Sequence, residues 1–159
     1  MTSALAAVLA YLLGAFPTGY LAGRLVGRVD IRERGSGSTG ATNVARSLGM
    51  GWAAVVLAAD VGKGALAVAL ARALETGALG EALAGLLVVV GHSWPVFTRF
   101  KGGRSVAPGL GGLLLVAPAV AIGGAAVWLA AVALTRYVSL GSVLGAGVAL
   151  GAGLFALAT

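Results

Sequence analysis

Five long apolar runs occupy most of the chain and leave room for little besides membrane-spanning helices. They cover residues 3–25, 51–74, 78–97, 105–134 and 139–159. A helix needs roughly 20 mostly apolar residues to cross a bilayer, so four runs suit one crossing each. The run at 105–134 contains Pro108 and Pro118, which predicts two short helices that meet near residues 117–119. We therefore expect an all-α integral membrane protein, a polytopic bundle with six transmembrane helices in one domain over residues 1–159.

The charged residues fit the same class of protein. Only 10% of the residues are charged, against about 25% in a typical soluble domain. Basic residues are concentrated after the first and third runs, at Arg24, Arg28, Arg32, Arg34, Arg46, Arg99, Lys101 and Arg104. Since cytoplasmic loops are enriched in Lys and Arg, these two loops are predicted to face the cytoplasm. The net charge of +6 then reflects basic loops, and no nucleic-acid partner is expected.

The absence of cysteine and the scarcity of other ligating groups exclude several chemistries. The chain has no cysteine, one histidine and five carboxylates. A thiol nucleophile, a disulfide and a thiolate metal site are therefore excluded, and neither a metal nor a cofactor is expected.

The first loop contains the stretch RGSGSTGATNVAR at residues 34–46. Gly35, Gly37 and Gly40 match the spacing of a dinucleotide fingerprint, but that fingerprint requires a preceding strand in a soluble βαβ unit. Ala41 replaces the lysine of a P-loop. The stretch still suits a phosphate, because glycines let successive N–H groups face one concavity and a helix N-terminus follows. Candidate polar contacts are Ser36, Ser38, Thr39, Thr42 and Arg46. An ordinary flexible loop with capping residues is the alternative.

The loop after the third run repeats this design in FKGGRSVAPGLGG, residues 100–112. Lys101 and Arg104 flank Gly102 and Gly103, and a helix follows. Two such loops on one face of a membrane would form two anion sites, or one site reached from two directions. A basic anchor for anionic lipid headgroups is the alternative, although it does not explain the paired glycines.

Ionisable residues inside apolar runs are costly and are usually functional. Asp60 and Lys63 are three residues apart, which places them on one helix face where they could pair. Such a pair could either hold helices together or support catalysis. His92 lies close to the second loop in sequence, so a binding or orienting role stands beside a plain packing role. Gly141-x-x-x-Gly145 and Gly147-x-x-x-Gly151 indicate close helix packing, and Ser139 and Ser142 suit helix capping.

The two loops together make the chain resemble the bacterial acyl-phosphate:glycerol-3-phosphate acyltransferases. The resemblance rests on FPTGY, GSGSTGATNVAR, GHSWPVFTRFKGGRSVA and RYVSLGS in this order. It implies a seven-helix inner-membrane enzyme with its active site on the cytoplasmic side. That enzyme transfers a fatty acyl group from acyl phosphate to the 1-hydroxyl of glycerol 3-phosphate, giving lysophosphatidic acid and phosphate in the first step of phospholipid synthesis. Acyl phosphate, glycerol 3-phosphate and membrane lipid are the expected partners, and a monomer is expected.

The resemblance also implies roles for particular residues. Ser36, Asn43 and Arg46 should contact the substrate phosphate and the reacting carbonyl, within a loop that includes Gly35, Gly37, Ser38, Gly40 and Thr42. Glycerol 3-phosphate should be held by Lys101, Gly102, Gly103 and Arg104, with Ser139 and Ser142 in a third motif. Asp60 and Lys63 should support the site. Either His92 or the phosphate of the substrate would accept the proton of the glycerol hydroxyl.

The chain departs from this pattern at several places. Ser38-Thr39 replaces an Asn followed by Pro or Ile, Arg104-Ser105 replaces Lys-Gly, and Pro108 replaces Thr. Relatives continue into a seventh helix and a basic tail with an H-x-x-N pattern, whereas this chain ends at LGAGLFALAT. The expectation is therefore a chain that lacks the last helix.

Two other classes of function are compatible with the sequence. A small transporter of a phosphorylated metabolite would use Asp60, Lys63 and the break at Pro118 along a path through the membrane. A regulatory membrane subunit would use the loops only to bind anionic lipid.

Overall fold

The computed structural model describes the backbone of residues 2–158 and the side chains of residues 2–153 and 155. All regular structure in that range is helical, as the sequence predicted. The eight α-helices are α1 (Thr2–Ala15), α2 (Thr18–Leu25), α3 (Ala41–Leu48), α4 (Met50–Ala73), α5 (Gly77–Ser93), α6 (Val106–Val116), α7 (Pro118–Thr135) and α8 (Val138–Ala158). Short 3-10 turns at Ile31–Glu33 and Val96–Thr98 lie in the two basic loops.

Four segments are long and apolar enough to cross a membrane. They are Thr2–Leu25, Met50–Ala73, Gly77–Thr98 and Pro118–Thr135. The first contains α1 and α2, which Phe16 and Pro17 separate because proline cannot continue the helix of the preceding turn. Two shorter apolar stretches, Val106–Val116 and Val138–Gly153, accompany the four. The prediction of six crossings stays a prediction.

The run at residues 105–134 forms two helices, as its two prolines predicted. Helix α6 ends at Val116 and α7 begins at Pro118, with Ala117 between them. Pro118 suits the first position of a helix, where no N–H is needed for an intrahelical bond. Near this break the chain divides into two compact units, Met1–Gly112 and Leu113–Thr159. The prediction of a single domain stays a prediction.

Glycines allow the helices of the first unit to pack backbone against backbone. A Cβ at Gly14 of α1 would clash with the carbonyl of Val88 on α5, and one at Gly91 would clash with that of Tyr11. Helices α4 and α6 meet in the same way at Gly64 and Gly111. Small residues of this kind are typical of helix contacts in lipid, where close approach drives association.

Two buried clusters complete the core of the first unit. One consists of small side chains from α1, α4 and α5: Ala6, Ala10, Ala67, Ala71, Ala84 and Val88. The other joins the first basic loop to α3 and α4 through Ile31, Val44, Ala53 and Val56. This second cluster anchors the first basic loop on the helices.

The second unit is built on the contact between α7 and α8. A Cβ at Gly145 would lie 2.9 Å from the carbonyl oxygen of Gly124. One at Gly141 would lie 3.0 Å from the carbonyl oxygen of Trp128, so this glycine pair packs closely, as predicted. A Cβ at Gly147 or Gly151 would meet no described atom within 4 Å, and that pair therefore makes no close contact in this part of the structure.

Candidate active site

The first basic loop is organised around the buried side chain of Asn43. Its Nδ2 lies 2.8 Å from the carbonyl oxygens of Ile31 and Ser38 and 3.1 Å from that of Arg34. Its Oδ1 accepts a hydrogen bond from the backbone N–H of Ser36 at 3.0 Å. One amide therefore ties residues 31–38 to α3. Because both ends of the amide are engaged in the protein, the structure gives Asn43 a positioning role, and its predicted contact with substrate stays a prediction.

Glycine is required where this loop turns. Gly35 and Gly37 have φ values of +56° and +70°, a region that residues with a Cβ rarely adopt. A side chain at Gly35 would also collide with Oδ1 of Asn43. These turns leave the side chains of Ser36, Thr42 and Arg46 exposed. Ser38 is used locally, since its Oγ accepts a hydrogen bond from the N–H of Gly40 at 3.2 Å.

The second basic loop folds back against the end of α5. The N–H of Gly103 donates to the carbonyl of His92 at 3.0 Å, and that of Phe100 donates to the carbonyl of Pro95 at 2.9 Å. A Cβ at Gly102 would clash with the carbonyl of His92, and one at Gly103 would clash with its Nε2. The paired glycines therefore let the loop lie directly on His92.

The two basic loops touch each other. The N–H of Thr39 lies 3.4 Å from the carbonyl oxygen of Gly102. Nη1 of Arg32 donates to the carbonyl of Thr98 at 3.1 Å. Gly19, from the FPTGY stretch, makes room for the backbone of Thr39, which a Cβ would strike. The two glycine-rich loops therefore meet in the structure, and their predicted position on the cytoplasmic face stays a prediction.

An ion-pair cluster supports the first loop from below. Arg32 binds Asp30 through Nε at 2.9 Å and Nη2 at 2.7 Å, and its guanidinium lies 4.6 Å from the ring centroid of Tyr20. Arg24 lies over the same ring at 5.5 Å. The hydrogen bond from the Arg32 side chain, together with the nearby positive charge, lowers the pKa of Asp30 to about 2. Asp30 is thus a fixed negative charge under the loop.

Cationic side chains on the loop surface contrast with those in the cluster. Arg46, Lys101 and Arg104 are exposed, and no ion pair to them occurs in the described part of the chain. Exposed Ser36 and Thr42 likewise make no side-chain hydrogen bond among the described residues. These groups are available to an anion from outside.

A buried polar network lies beneath the second loop. Nζ of Lys63 is 2.9 Å from Oδ1 of Asp60, 3.1 Å from the carbonyl oxygen of Phe16 and 2.8 Å from Nδ1 of His92. The hydroxyl of Thr18 donates to the same Asp60 oxygen at 2.5 Å. The predicted Asp60–Lys63 pair is confirmed. His92, predicted to lie near the second loop, connects that pair to Gly103.

Ser139 and Ser142 belong to α8 of the second unit. Ser142 donates to the carbonyl of Val138 at 2.9 Å, four residues back in the same helix, and Nε1 of Trp128 lies 3.4 Å from its Oγ. Neither serine caps α8, because the helix begins at Val138. Their predicted contact with substrate stays a prediction.

Sequence reasoning missed several residues that shape this site. Thr18 and Phe16 complete the Lys63 network, and Ser105 fixes the second loop by donating to the carbonyl of Val89 at 2.8 Å. The proline break in FPTGY was the available signal, because a broken helix leaves a carbonyl free for another donor.

The described residues contain no group of three or more His, Cys, Asp or Glu side chains that could hold a metal ion.

Long apolar helices and a pair of basic glycine-rich loops define a multi-pass membrane protein with an exposed cationic surface. Residues 4–158 match the sequence profile described as glycerol-3-phosphate acyltransferase. The chain belongs to this family, whose members are integral membrane acyltransferases.

Individual relatives agree with this placement. A glycerol-3-phosphate acyltransferase of Synechococcus elongatus is 53% identical over 148 residues, which cover 88% of this chain and 70% of the relative. One from Gloeobacter violaceus is 54% identical over 140 residues, covering 86% and 68%. The crystal structure of PlsY (YgiH), an integral membrane glycerol 3-phosphate acyltransferase in its glycerol 3-phosphate form, superposes with a TM-score of 0.90 at 36% identity. The superposed region covers 98% of this chain and 78% of the PlsY chain. Its lysophosphatidic acid form gives a TM-score of 0.86.

Proposed function

We propose that the chain transfers a fatty acyl group from acyl phosphate to the 1-hydroxyl of glycerol 3-phosphate. The products are lysophosphatidic acid and inorganic phosphate. The reaction takes place where the two glycine-rich loops meet, on the cytoplasmic face of the bacterial inner membrane. Glycerol 3-phosphate as acceptor is supported by the family and by the glycerol 3-phosphate form of its structural neighbour.

The contact between Thr39 and Gly102 carries this proposal. It brings together two loops whose exposed cations, Arg46, Lys101 and Arg104, have no ion-pair partner in the described structure. Both substrates of the proposed reaction carry a phosphate, and a guanidinium binds phosphate in a bidentate manner. A surface that collects cations without ion-pair partners next to glycine-rich backbone suits two phosphates better than one neutral ligand.

The acyl transfer needs no covalent intermediate on the protein. The 1-hydroxyl oxygen bonds to the acyl carbon, and the bond from that carbon to the phosphate oxygen breaks. Inorganic phosphate leaves, and the hydroxyl proton passes to a phosphate oxygen. The loops then contribute by holding the two substrates in contact and by stabilising negative charge on the carbonyl oxygen. Asn43 acts through the shape of the first loop.

The buried Asp60–Lys63 pair supports an acyltransferase better than a transporter. Asp60 and Lys63 are engaged with Thr18, Phe16 and His92, and both side chains are buried. A transporter would present such charges to a passing ligand. Here they brace the second loop.

The test is phosphate release from acyl phosphate by the purified chain in lipid, with and without glycerol 3-phosphate. We expect release that depends on glycerol 3-phosphate. Arg46→Ala should lower kcat/KM by about 10- to 100-fold, the cost of one hydrogen-bonded charge contact. Arg28→Ala is the matched control, because Arg28 is exposed but lies outside the two glycine-rich stretches at residues 34–46 and 100–112.

Three results would decide against the proposal. Release without glycerol 3-phosphate would indicate a phosphatase. Equal activity in the Arg46 and Arg28 variants would show that the first loop does not hold substrate. Absence of release, together with uptake of labelled glycerol 3-phosphate into vesicles, would favour transport.

A further inference from the structure

The amine of Lys63 is surrounded by as many acceptors as it has protons. Its Nζ lies within 3.1 Å of the Phe16 carbonyl oxygen, 2.9 Å of Asp60 Oδ1 and 2.8 Å of His92 Nδ1. An ammonium group has three N–H bonds and no lone pair. Each proton of Lys63 is therefore assigned to one neighbour.

This assignment determines where His92 carries its own proton. Oδ1 of Asp60 accepts from Thr18 as well as from Lys63, as expected of a carboxylate paired with an ammonium group. Nδ1 of His92 must then accept the third proton of Lys63. A neutral imidazole has one N–H, so that proton lies on Nε2. Nδ1 is 3.8 Å from the carboxylate of Asp60, too far for a competing hydrogen bond.

Nε2 of His92 faces the second basic loop. A Cβ at Gly103 would clash with this atom, so the ring reaches the loop only because residue 103 is glycine. Among the described residues, Nε2 has no hydrogen-bond partner. No side-chain nitrogen or oxygen in that part of the chain is both fully buried and unpartnered. Nε2 is therefore unpartnered and not fully enclosed where it faces Gly103.

We propose that Lys63 holds His92 in the Nε2–H tautomer, and that this N–H donates a hydrogen bond to a substrate phosphate oxygen at the second loop. The second half of this proposal rests on the proposed function. His92 is then a catalytic residue that acts as a donor, and Lys63 is a positioning residue that acts through it. The phosphate belongs either to glycerol 3-phosphate or to the acyl donor.

His92 can be observed directly because it is the one histidine in the sequence. The untagged protein, labelled with ¹⁵N-histidine, gives signals from this ring alone in a long-range ¹H–¹⁵N spectrum. We expect a protonated Nε2 and an unprotonated Nδ1 in the resting protein. An Nδ1–H tautomer, or a doubly protonated ring, at neutral pH would overturn the proposal. This measurement needs no activity, so its failure is distinct from failure of the proposed function.

A variant tests whether Lys63 is the cause. Asp60→Asn/Lys63→Met removes both charges together, because a single change would leave one buried charge unpaired. We expect both tautomers of His92 in this variant, with slow or averaged exchange between them. A pure Nε2–H tautomer that survives in the variant would show that Lys63 does not select it.

Two ligands show which substrate phosphate accepts the hydrogen bond from Nε2 of His92. Glycerol 3-phosphate and a non-transferable acyl phosphonate are added separately to the labelled protein. The ligand that shifts the Nε2 proton downfield is the acceptor of its hydrogen bond, and no shift with either ligand would overturn the donor role.

The activities of two His92 variants distinguish a hydrogen-bond donor from a general base at this position. His92→Gln places an amide N–H near the Nε2 position but supplies no base, whereas His92→Leu supplies neither. We expect His92→Leu to lower kcat/KM by about 10- to 100-fold and His92→Gln to recover most of that loss. Equal inactivity of the two variants in folded protein would instead indicate that His92 accepts a proton.

Discussion

The two glycine-rich loops reach one surface by different means. The first loop depends on one side chain, since the amide of Asn43 binds residues 31–38 through four contacts. It also places glycine, Gly35 and Gly37, at its left-handed positions. The second loop is held against the end of α5 by its own backbone and by the Ser105 hydroxyl. Its left-handed positions are Arg99, Phe100 and Ser105, with φ between 55° and 61°.

One side chain makes many of the hydrogen bonds that set the shape of the first loop. In the second loop, several residues each make such contacts. A change at Asn43 removes four hydrogen bonds of the first loop at once, whereas the hydrogen bonds of the second loop are divided among several residues. The second loop instead carries backbone strain, which its bonds to α5 offset.

Replacing the amide donor of Asn43 should give the largest loss. Asn43→Asp keeps an oxygen for the N–H of Ser36 but turns a carboxylate toward the carbonyl oxygens of Ile31 and Ser38. We expect the free energy of unfolding to fall by about 3 kcal/mol, because buried acceptors lose their donor. Chemical unfolding in detergent measures it. Ser47→Ala, on the same helix, is the control and should change stability little; equal effects would refute the central role of Asn43.

The second-largest effect should be the loss of stability at low pH that Asp30 causes in the first loop. The pKa of Asp30 is lowered to about 2, so its stabilising charge is complete above the unfolded value near 4 and is lost as the pH falls toward 2. A shift of this size corresponds to about 2 kcal/mol. Wild type should therefore lose that much more stability than Asp30→Asn between pH 5 and pH 2. Glu33→Gln, which removes a nearby exposed carboxyl, should retain the wild-type slope.

Crowding the second loop should affect activity more than stability. Gly103→Ala puts a methyl group where Nε2 of His92 lies, so either the ring or the loop must move. We expect kcat/KM to fall about tenfold or more, as one donor contact is lost, with about 1 kcal/mol of destabilisation. Gly62→Ala is the control, because a Cβ there meets no described atom within 4 Å. Unchanged activity in Gly103→Ala would show that the loop tolerates displacement.

Relieving strain in the second loop should give the smallest effect, and a gain. Arg99 has φ +55° and ψ +45°, a region unfavourable for residues with a Cβ. Arg99→Gly should raise the free energy of unfolding by about 0.5 kcal/mol after the greater chain entropy of glycine is subtracted. Arg34→Gly should lower it, because Arg34 has an extended backbone with φ −127°. If both substitutions raised the free energy of unfolding, or both lowered it, the proposed difference in backbone strain between Arg99 and Arg34 would be refuted.

The parts of the structure that depend on local spacing could be predicted from the sequence. The helix break at Ala117 follows from a proline inside an apolar run too long for one crossing. The Asp60–Lys63 pair follows from helical periodicity, since residues three apart share a face. The glycine loops were recognised because their composition differs so sharply from the flanking helices.

Contacts that require packed helices could not be predicted. Lys63 and His92 are 29 residues apart, and their 2.8 Å contact exists only because α4 and α5 lie side by side. The role of Asn43 was likewise hidden, because a side chain that binds three carbonyls can be identified only once the chain has folded around it. Neither feature has a pattern in the sequence.

The backbone contacts at Gly14, Gly91, Gly64 and Gly111 have a consequence for the entropy of assembly. Glycine and alanine lose no rotamer freedom when they are buried, and the core of the first unit consists largely of these residues. In lipid, where apolar burial does not draw helices together, the helices join without freezing long side chains. The helices beneath the loops therefore pack together at low cost in side-chain conformational entropy.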